Sequence, residues 1–238
     1  TFVLENDPTC PAAHLCHHFT LGDIRDYDTV YAFGKQVEVL TIEIENINID
    51  ALFQLQKEGV KVIPSPEAIA IIKDKGVQKQ FYADNNIPTA PFLLTDDKTT
   101  IEANVDFLPA ANKLRTGGYD GKGVELLFGA DDLSRAFTEP SLLEKMVDIQ
   151  KEIAVLVAVG IDGTTVVYAP TEMVFDPKLN LVDYLIAPAD LSEEQIKTAE
   201  SIALQAVKAL QSPGLFAVEL FLSTNDEILV NEIAPRAH

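Results

Sequence analysis

Arg115-Thr116-Gly117-Gly118-Tyr119-Asp120-Gly121-Lys122-Gly123 sets four glycines and three charged side chains between two apolar, strand-like runs, Ala110-Ala111-Asn112-Lys113-Leu114 and Val124-Glu125-Leu126-Leu127-Phe128. Glycine lacks a Cβ and adopts positive φ without steric cost, so such a loop lets backbone amides converge on an anion. Lys113, Arg115 and Lys122 add positive charge nearby. The stretch suits a phosphate-bearing ligand, a nucleotide first; the plain alternative is a glycine-rich hairpin. It has neither the GK[ST] ending of a Walker A loop nor the GxGxxG spacing. Its flanks are strands, so flexible amides and lysines would hold the anion in place of a helix dipole.

The rest of the 238-residue chain limits what that ligand is. Against 37 acidic side chains stand 18 basic ones, a formal charge of −19, which repels nucleic acid and anionic membranes. An anion must therefore be held by a local cluster. The longest apolar run interrupted by nothing but glycine, Ile153 to Ile161, is far shorter than the roughly 20 residues of a membrane helix. No signal peptide or basic tail is visible, and the two cysteines suit a reduced, cytoplasmic setting. Cys10, His14, Cys16, His17 and His18 lie close together, but their spacing fits no zinc pattern. Thr1-Phe2-Val3-Leu4 reads as a strand already under way, and the chain stops just after a polar cluster, so both ends of a longer protein are expected to be missing.

Before the loop, Phe2-Val3-Leu4, Val30-Tyr31-Ala32-Phe33, Val39-Leu40-Thr41-Ile42 and Val60-Lys61-Val62-Ile63 read as strands joined by crossovers, a βαβ region with a parallel sheet. Ser65-Pro66-Glu67 starts a helix that runs to Asn85-Asn86. Residues 88–147 read as a small α+β unit carrying the loop. Beyond it, Ile153–Val159 turns at Gly160-Ile161-Asp162-Gly163 into a hairpin. Leu191–Gln211 is a helix with Ser192 and Gln195 as a capping box and a stripe from Ile196 to Leu210.

Two carboxylates carry the next signal. Leu215-Phe216-Ala217-Val218-Glu219-Leu220-Phe221-Leu222 is too apolar to leave the core, and Ile228-Leu229-Val230-Asn231-Glu232-Ile233-Ala234 returns beside it. If Ser223 faces Ile228, Glu219 and Glu232 become direct cross-strand neighbours. Like charges so placed destabilise a hairpin, and a hard divalent cation between them reverses the sign. In a different register, one glutamate reaches solvent instead. Alternation sends Asn231 to the other face unless a bulge intervenes. Arg236 and His238, just beyond, could clamp a planar anion and move a proton; the plain alternative is an exposed loop. Glu43, Glu45 and Asn46 fall near the end of an expected parallel strand, a usual ligand position in α/β sheets; the equal alternative is a solvated face. Glu152, at a strand start, could take a ribose hydroxyl pair.

Together these residues resemble the ATP-grasp family. The sequence RTGGYDGKG, preceded by Lys113 and followed by NEIAPRAH, closely resembles the branch that carboxylates aminoimidazole ribonucleotide in purine biosynthesis. Thr41 to Asn46, Pro64 to Glu67, Gln78 to Phe81 and Ile87 to Phe92 support it, so the match runs from end to end.

The resemblance implies an α/β (α+β) ATP-grasp fold with an N-terminal Rossmann-like pre-ATP-grasp domain. Its divisions would be 1–87, a lid at 88–147 and a core at 148–238. It implies an ATP- and magnesium-dependent ligase that makes carboxyphosphate from bicarbonate and passes the carboxyl group to the amine. Lys75 and Lys113 would touch ATP, with Gly118, Tyr119, Asp120, Gly121, Lys122, Gly123 and Val124 as the covering loop. Glu144, Lys145, Met146 and Val147 would meet adenine, and Glu152 the ribose. Phe175 would frame the pocket where a histidine is expected; Lys75 stands where arginine is common. Glu219 and Glu232 would hold magnesium beside Asn231, with Arg236 and His238 facing the bicarbonate-derived group. A cytoplasmic homodimer is implied, and a chain ending at His238 is expected to bind nucleotide weakly and lose catalysis. A formate-dependent glycinamide ribonucleotide transformylase-like ligase, or a non-catalytic nucleotide-binding fragment, are the alternatives.

Overall fold

The computed structural model of the protein describes residues 1–118, 123–176 and 181–237. Strands β1 (Phe2–Glu5) and β2 (His18–Leu21) form a parallel pair. Helix α1 (Tyr27–Gly34) leads to β3 (Val39–Thr41), and α2 (Ile49–Lys57) to β4 (Lys61–Ile63), parallel to β3. The expected parallel region is thus two separate pairs. Val30 to Phe33 is helix and not strand: Asp26 accepts from the Thr29 amide as an N-cap, and Val30 and Phe33, three apart, bury one face. Strand β3 ends at Thr41, so Glu43, Glu45 and Asn46 lie on the loop after it, not on an alternating strand.

The helix expected from Ser65 onward is two helices, α3 (Pro66–Lys73) and α4 (Lys75–Asp84). Asp74 separates them because it is extended (φ −116, ψ 110) and its carboxylate caps the Gly76 and Val77 amides. Strands β5 (Phe92–Thr95), β6 (Ala110–Leu114), β7 (Val124–Leu127) and β8 (Ser141–Lys145) make an antiparallel sheet in the order β5-β8-β6-β7, with α5 (Lys98–Ala103) between β5 and β6. Ile101, Ala110, Leu127 and Leu143 form its core.

The third sheet comprises β9 (Ile149–Val159), β10 (Thr165–Val167), β11 (Thr171–Asp176) and β12 (Leu181–Ile186), then, after α6 (Glu193–Ala209), β13 (Gly214–Ser223) and β14 (Ile228–Ala234). Its order is β12-β11-β9-β13-β14, with β10 paired to β9. The capping box at Ser192 and Gln195 forms as expected. Ile202, Val207 and Leu210 of that helix region pack onto Val155, Val157, Val218 and Leu220, each large side chain contributing roughly 1.5–3 kcal/mol. Ala68, Ile72 and Tyr82 from α3 and α4 join this core.

Strand alternation assigns the two faces of this sheet. With Ile153, Val155, Val218, Leu220 and Leu222 turned into the core, Glu152, Glu219 and Phe221 take the opposite face.

Candidate active site

On β13 and β14 the hairpin starts one residue away from the expected register: Leu222, not Ser223, faces Ile228. A β-bulge then inserts Asn231, so that Glu219 does face Glu232. The bulge also explains the side-chain directions. Val230 and Ile233 both enter the core, and the two residues between them, Asn231 and Glu232, both line the opposite face. Asn231 Nδ2 donates to Glu219 Oε2 at 3.2 Å.

Two carboxylates face one another across the ladder, which is unfavourable unless cations answer them. One cation is Lys75, whose ammonium pairs with Glu232. Burial lowers its pKa, but Glu232, with Glu219 and Glu45, outweighs that and raises it overall, so Lys75 stays charged. The donors here are carboxylate oxygens, the chemistry that a hard divalent cation such as magnesium takes, so the residues fit that ion.

A second cluster abuts the first. Glu144 on β8 accepts from Lys113 Nζ on β6 at 2.8 Å and pairs through its other oxygen with Lys79 of α4. Lys113 Nζ also donates to Asn231 Oδ1 at 3.0 Å, joining β6 to the bulge. Glu144 and Lys79 are each 3% exposed, so burial is the largest influence on both. Burial alone raises Glu144, but Lys113 and Lys79 pull it down to about 2. Burial wins at Lys79, which falls to about 8 although Glu144 opposes it. The sequence marked Gln78 to Phe81 as family-like without giving Lys79 a role. The available signal was its position one helical turn beyond Lys75.

These groups edge a cleft of about 390 Å³ between the β5-β8-β6-β7 sheet and the sheet that holds β9, β13 and β14. Lys75, Lys113, Glu152, Phe175, Glu219, Asn231 and Glu232 line it, with Glu144, Lys145, Met146 and Val147 along one wall. Gly118 and Val124, which flank the loop, also line it; Gly123 sits at the loop base with φ +83, where its carbonyl accepts from the Leu114 amide at 2.8 Å. A Cβ on Gly123 would come within 3.0 Å of the Gly118 backbone, so the two ends of the loop need a glycine there. Tyr119, Asp120, Gly121, Lys122 and His238 lie outside the described residues.

One expectation is corrected here. Arg115 does not lend its charge to the loop: its guanidinium grips Asp74 through two hydrogen bonds of 2.9 and 2.8 Å. Arg236 sits beside the loop after β3: Nη1 donates to Glu45 Oε2 at 2.8 Å and to the Glu43 carbonyl at 3.3 Å. Asn46 is exposed on that same loop. Cys10 and Cys16 are free thiols, and no group of three His, Cys, Asp or Glu residues placed to hold a metal occurs among the described residues. A larger, mainly apolar cavity of about 680 Å³ lies between β1 and β3, lined by Val3, Leu4, Val30, Phe33 and Leu40. It has no comparable convergence of charged side chains.

Burial, and then Glu219, push Glu152 up to about 7, against the pull of Lys113. Between its ordinary value of 4.5 and 7 the folded protein holds a proton that the unfolded chain lacks. Stability of the metal-free protein therefore falls as pH rises through that window and levels off above it. Glu152→Gln should melt with the wild type near the bottom of the window and at a higher temperature above it. Melting curves in EDTA check this, and identical curves across the whole range contradict it.

The chain resembles known proteins along its whole length. Residues 80–238 match the model of the ATP-grasp domain, and residues 1–73 that of the ribonucleotide synthetase preATP-grasp domain. Phosphoribosylaminoimidazole carboxylase, chloroplastic, from Vigna aconitifolia is 35% identical across 99% of this chain, which spans 43% of that protein. The crystal structure of N5-carboxyaminoimidazole ribonucleotide synthetase from Thermotoga maritima superposes with a TM-score of 0.88 at 36% identity, over all of this chain and 62% of that one. The N5-carboxyaminoimidazole synthase of Aspergillus clavatus, in complex with ADP and 5-aminoimidazole ribonucleotide, gives 0.87 at 26% identity over 99% of this chain and 63% of that one. The chain thus spans under two thirds of each of these relatives.

Proposed function

Because this chain belongs to the ATP-grasp family, we propose that it is the nucleotide-binding part of a ligase that carboxylates 5-aminoimidazole ribonucleotide with ATP and bicarbonate. The observation that carries this is the Glu219–Glu232 pair, made by the bulge at Asn231, in a cleft that also gathers Lys75 and Lys113. The names of the relatives favour bicarbonate over formate as the acceptor.

In this reading a bicarbonate oxygen attacks the γ-phosphorus of ATP, the bond from that phosphorus to the bridging oxygen breaks, and ADP leaves. The amine nitrogen of the ribonucleotide then attacks the carboxyl carbon of carboxyphosphate, expels inorganic phosphate and gives up a proton. Lys75 and Lys113 neutralise phosphate charge, assisted by amides of the glycine loop. Lys113 holds its place through Glu144 and Asn231 with two hydrogen bonds, which leaves the third donor of its ammonium for a phosphate oxygen. Glu219 and Glu232 hold magnesium, which when bound neutralises charge on the phosphate oxygens. Residues 144–147 present backbone groups to adenine, Glu152 takes the ribose hydroxyls and Phe175 closes the pocket. Arg236 and His238 act on the bicarbonate-derived group; Arg236 meets Glu45 and the Glu43 carbonyl on the loop after β3.

The units 1–87, 88–147 and 148–238, a homodimeric assembly and a cytoplasmic setting belong to the same proposal. No helix among the described residues is long and apolar enough to cross a membrane. The test is ADP release by the full-length protein with bicarbonate. Faster release on adding aminoimidazole ribonucleotide is expected; release that ignores the ribonucleotide overturns the proposal.

A further inference from the structure

Helix α4 spends three polar side chains on β14. Lys75 pairs with Glu232. Gln78 Oε1 accepts from the Ile233 amide at 2.7 Å and from the Tyr82 hydroxyl, while its Nε2 donates to the Ile72 carbonyl at 3.0 Å and the Ile233 carbonyl at 3.4 Å. Lys79 Nζ donates to Thr89 Oγ1 at 2.6 Å and to the Val230 carbonyl at 3.2 Å, and pairs with Glu144. Thr89 Oγ1 itself donates to the Val230 carbonyl at 2.7 Å, and the Val230 amide donates to the Pro88 carbonyl at 2.7 Å. Val230 and Ile233 are the two residues that bracket the bulge.

We propose that Lys79 is a positioning residue which, with Gln78, clamps β14 on both sides of the bulge and so aims Asn231 and Glu232 at Glu219 for a nucleotide-bound divalent cation. A bulge carries an extra residue outside the ladder, and nothing in strand pairing alone fixes where it falls. Burying an ammonium at 3% exposure is a costly way to fill space, since an apolar side chain of similar volume packs there more cheaply. What only the ammonium supplies is directed donors, and two of them end on Thr89 and Val230. Through Glu144 the same residue reaches Lys113, which holds the far side of Asn231. Outer partners of this kind orient metal ligands without touching the metal.

The proposal rests on reading the cleft as a nucleotide–metal site, and two measurements separate the two claims. The first is ADP affinity by calorimetry in EDTA and in magnesium, for wild type, Lys79→Met and Thr89→Val. The second is amide hydrogen exchange over residues 229–234 of the ligand-free proteins. In Lys79→Met the tightening of ADP binding by magnesium should shrink roughly 10-fold or more, affinity in EDTA should hold, and exchange at 229–234 should rise. Thr89→Val, which removes the hydroxyl shared by Lys79 and Val230, should move the same way to a smaller degree, and it decides the matter if Lys79→Met does not fold. Unchanged magnesium tightening together with unchanged exchange overturns the clamp. A wild type whose ADP binding ignores magnesium sinks the nucleotide–metal reading instead, and the exchange data still judge the clamp.

Discussion

Glu232→Gln is expected to remove the magnesium-dependent part of ATP affinity, a loss of about 100-fold or more, since even outer partners of metal ligands cost up to that much. The substitution keeps shape and removes charge, so the fold should survive. Two opposing effects act on the metal-free protein. Repulsion across the Glu219–Glu232 pair disappears, which stabilises, and the Lys75 ammonium loses its partner, which destabilises. Both side chains are partly exposed, so the net change in melting temperature should be small. Affinity in EDTA should also change little, because the lysines still meet the phosphates. Titrations with and without magnesium decide it: unchanged affinity in magnesium rejects the metal assignment, and a variant that fails to fold shows that the pair is structural.

Glu144→Gln is expected to produce the largest loss of stability, about 3–5 kcal/mol, because it takes the paired carboxylate from the buried ammonium of Lys79 and the half-buried one of Lys113. Urea denaturation at neutral pH measures it. The pH dependence follows from the folded carboxyl titrating at about 2 against an ordinary value of 4.5. The stabilisation from Glu144 is complete above 4.5 and is lost as pH falls through the folded value, so wild type and variant should converge on acidification. Lys79→Met should cost less than Glu144→Gln, since Glu144 keeps Lys113 as a partner. A Glu144→Gln protein within about 1 kcal/mol of wild type, where surface pairs fall, contradicts a buried Glu144–Lys79 pair.

Features governed by local chemistry were legible in the sequence. The capping box at Ser192, the N-cap at Ser65, the strands either side of the glycine loop and the turn after Val159 each follow from a few adjacent residues. The Glu219–Glu232 pairing was also reached, though from an anchor one residue out of register, and the bulge corrected it. That bulge was beyond the sequence because the side chains bonded to its two flanks, Gln78 and Lys79, lie about 150 residues away along the chain. A polar helix face reads as solvated when no apolar stripe accompanies it, yet Gln78 and Lys79 are buried. Val30 to Phe33 misled for the opposite reason: a short apolar run suits a strand or a buried helix equally, and the cap at Asp26 decides. Arg115 reads in sequence as charge near the loop, whereas its guanidinium is held by Asp74, the residue that also caps α4.

The most direct test is a crystal of the protein soaked with manganese and ADP, read by anomalous difference density. The metal peak should fall between the carboxylates of Glu219 and Glu232, with the ADP phosphates under Gly118 and the adenine against residues 144–147. A metal bound elsewhere, or ADP lodged in the apolar cavity beside Val3 and Leu40, would contradict it.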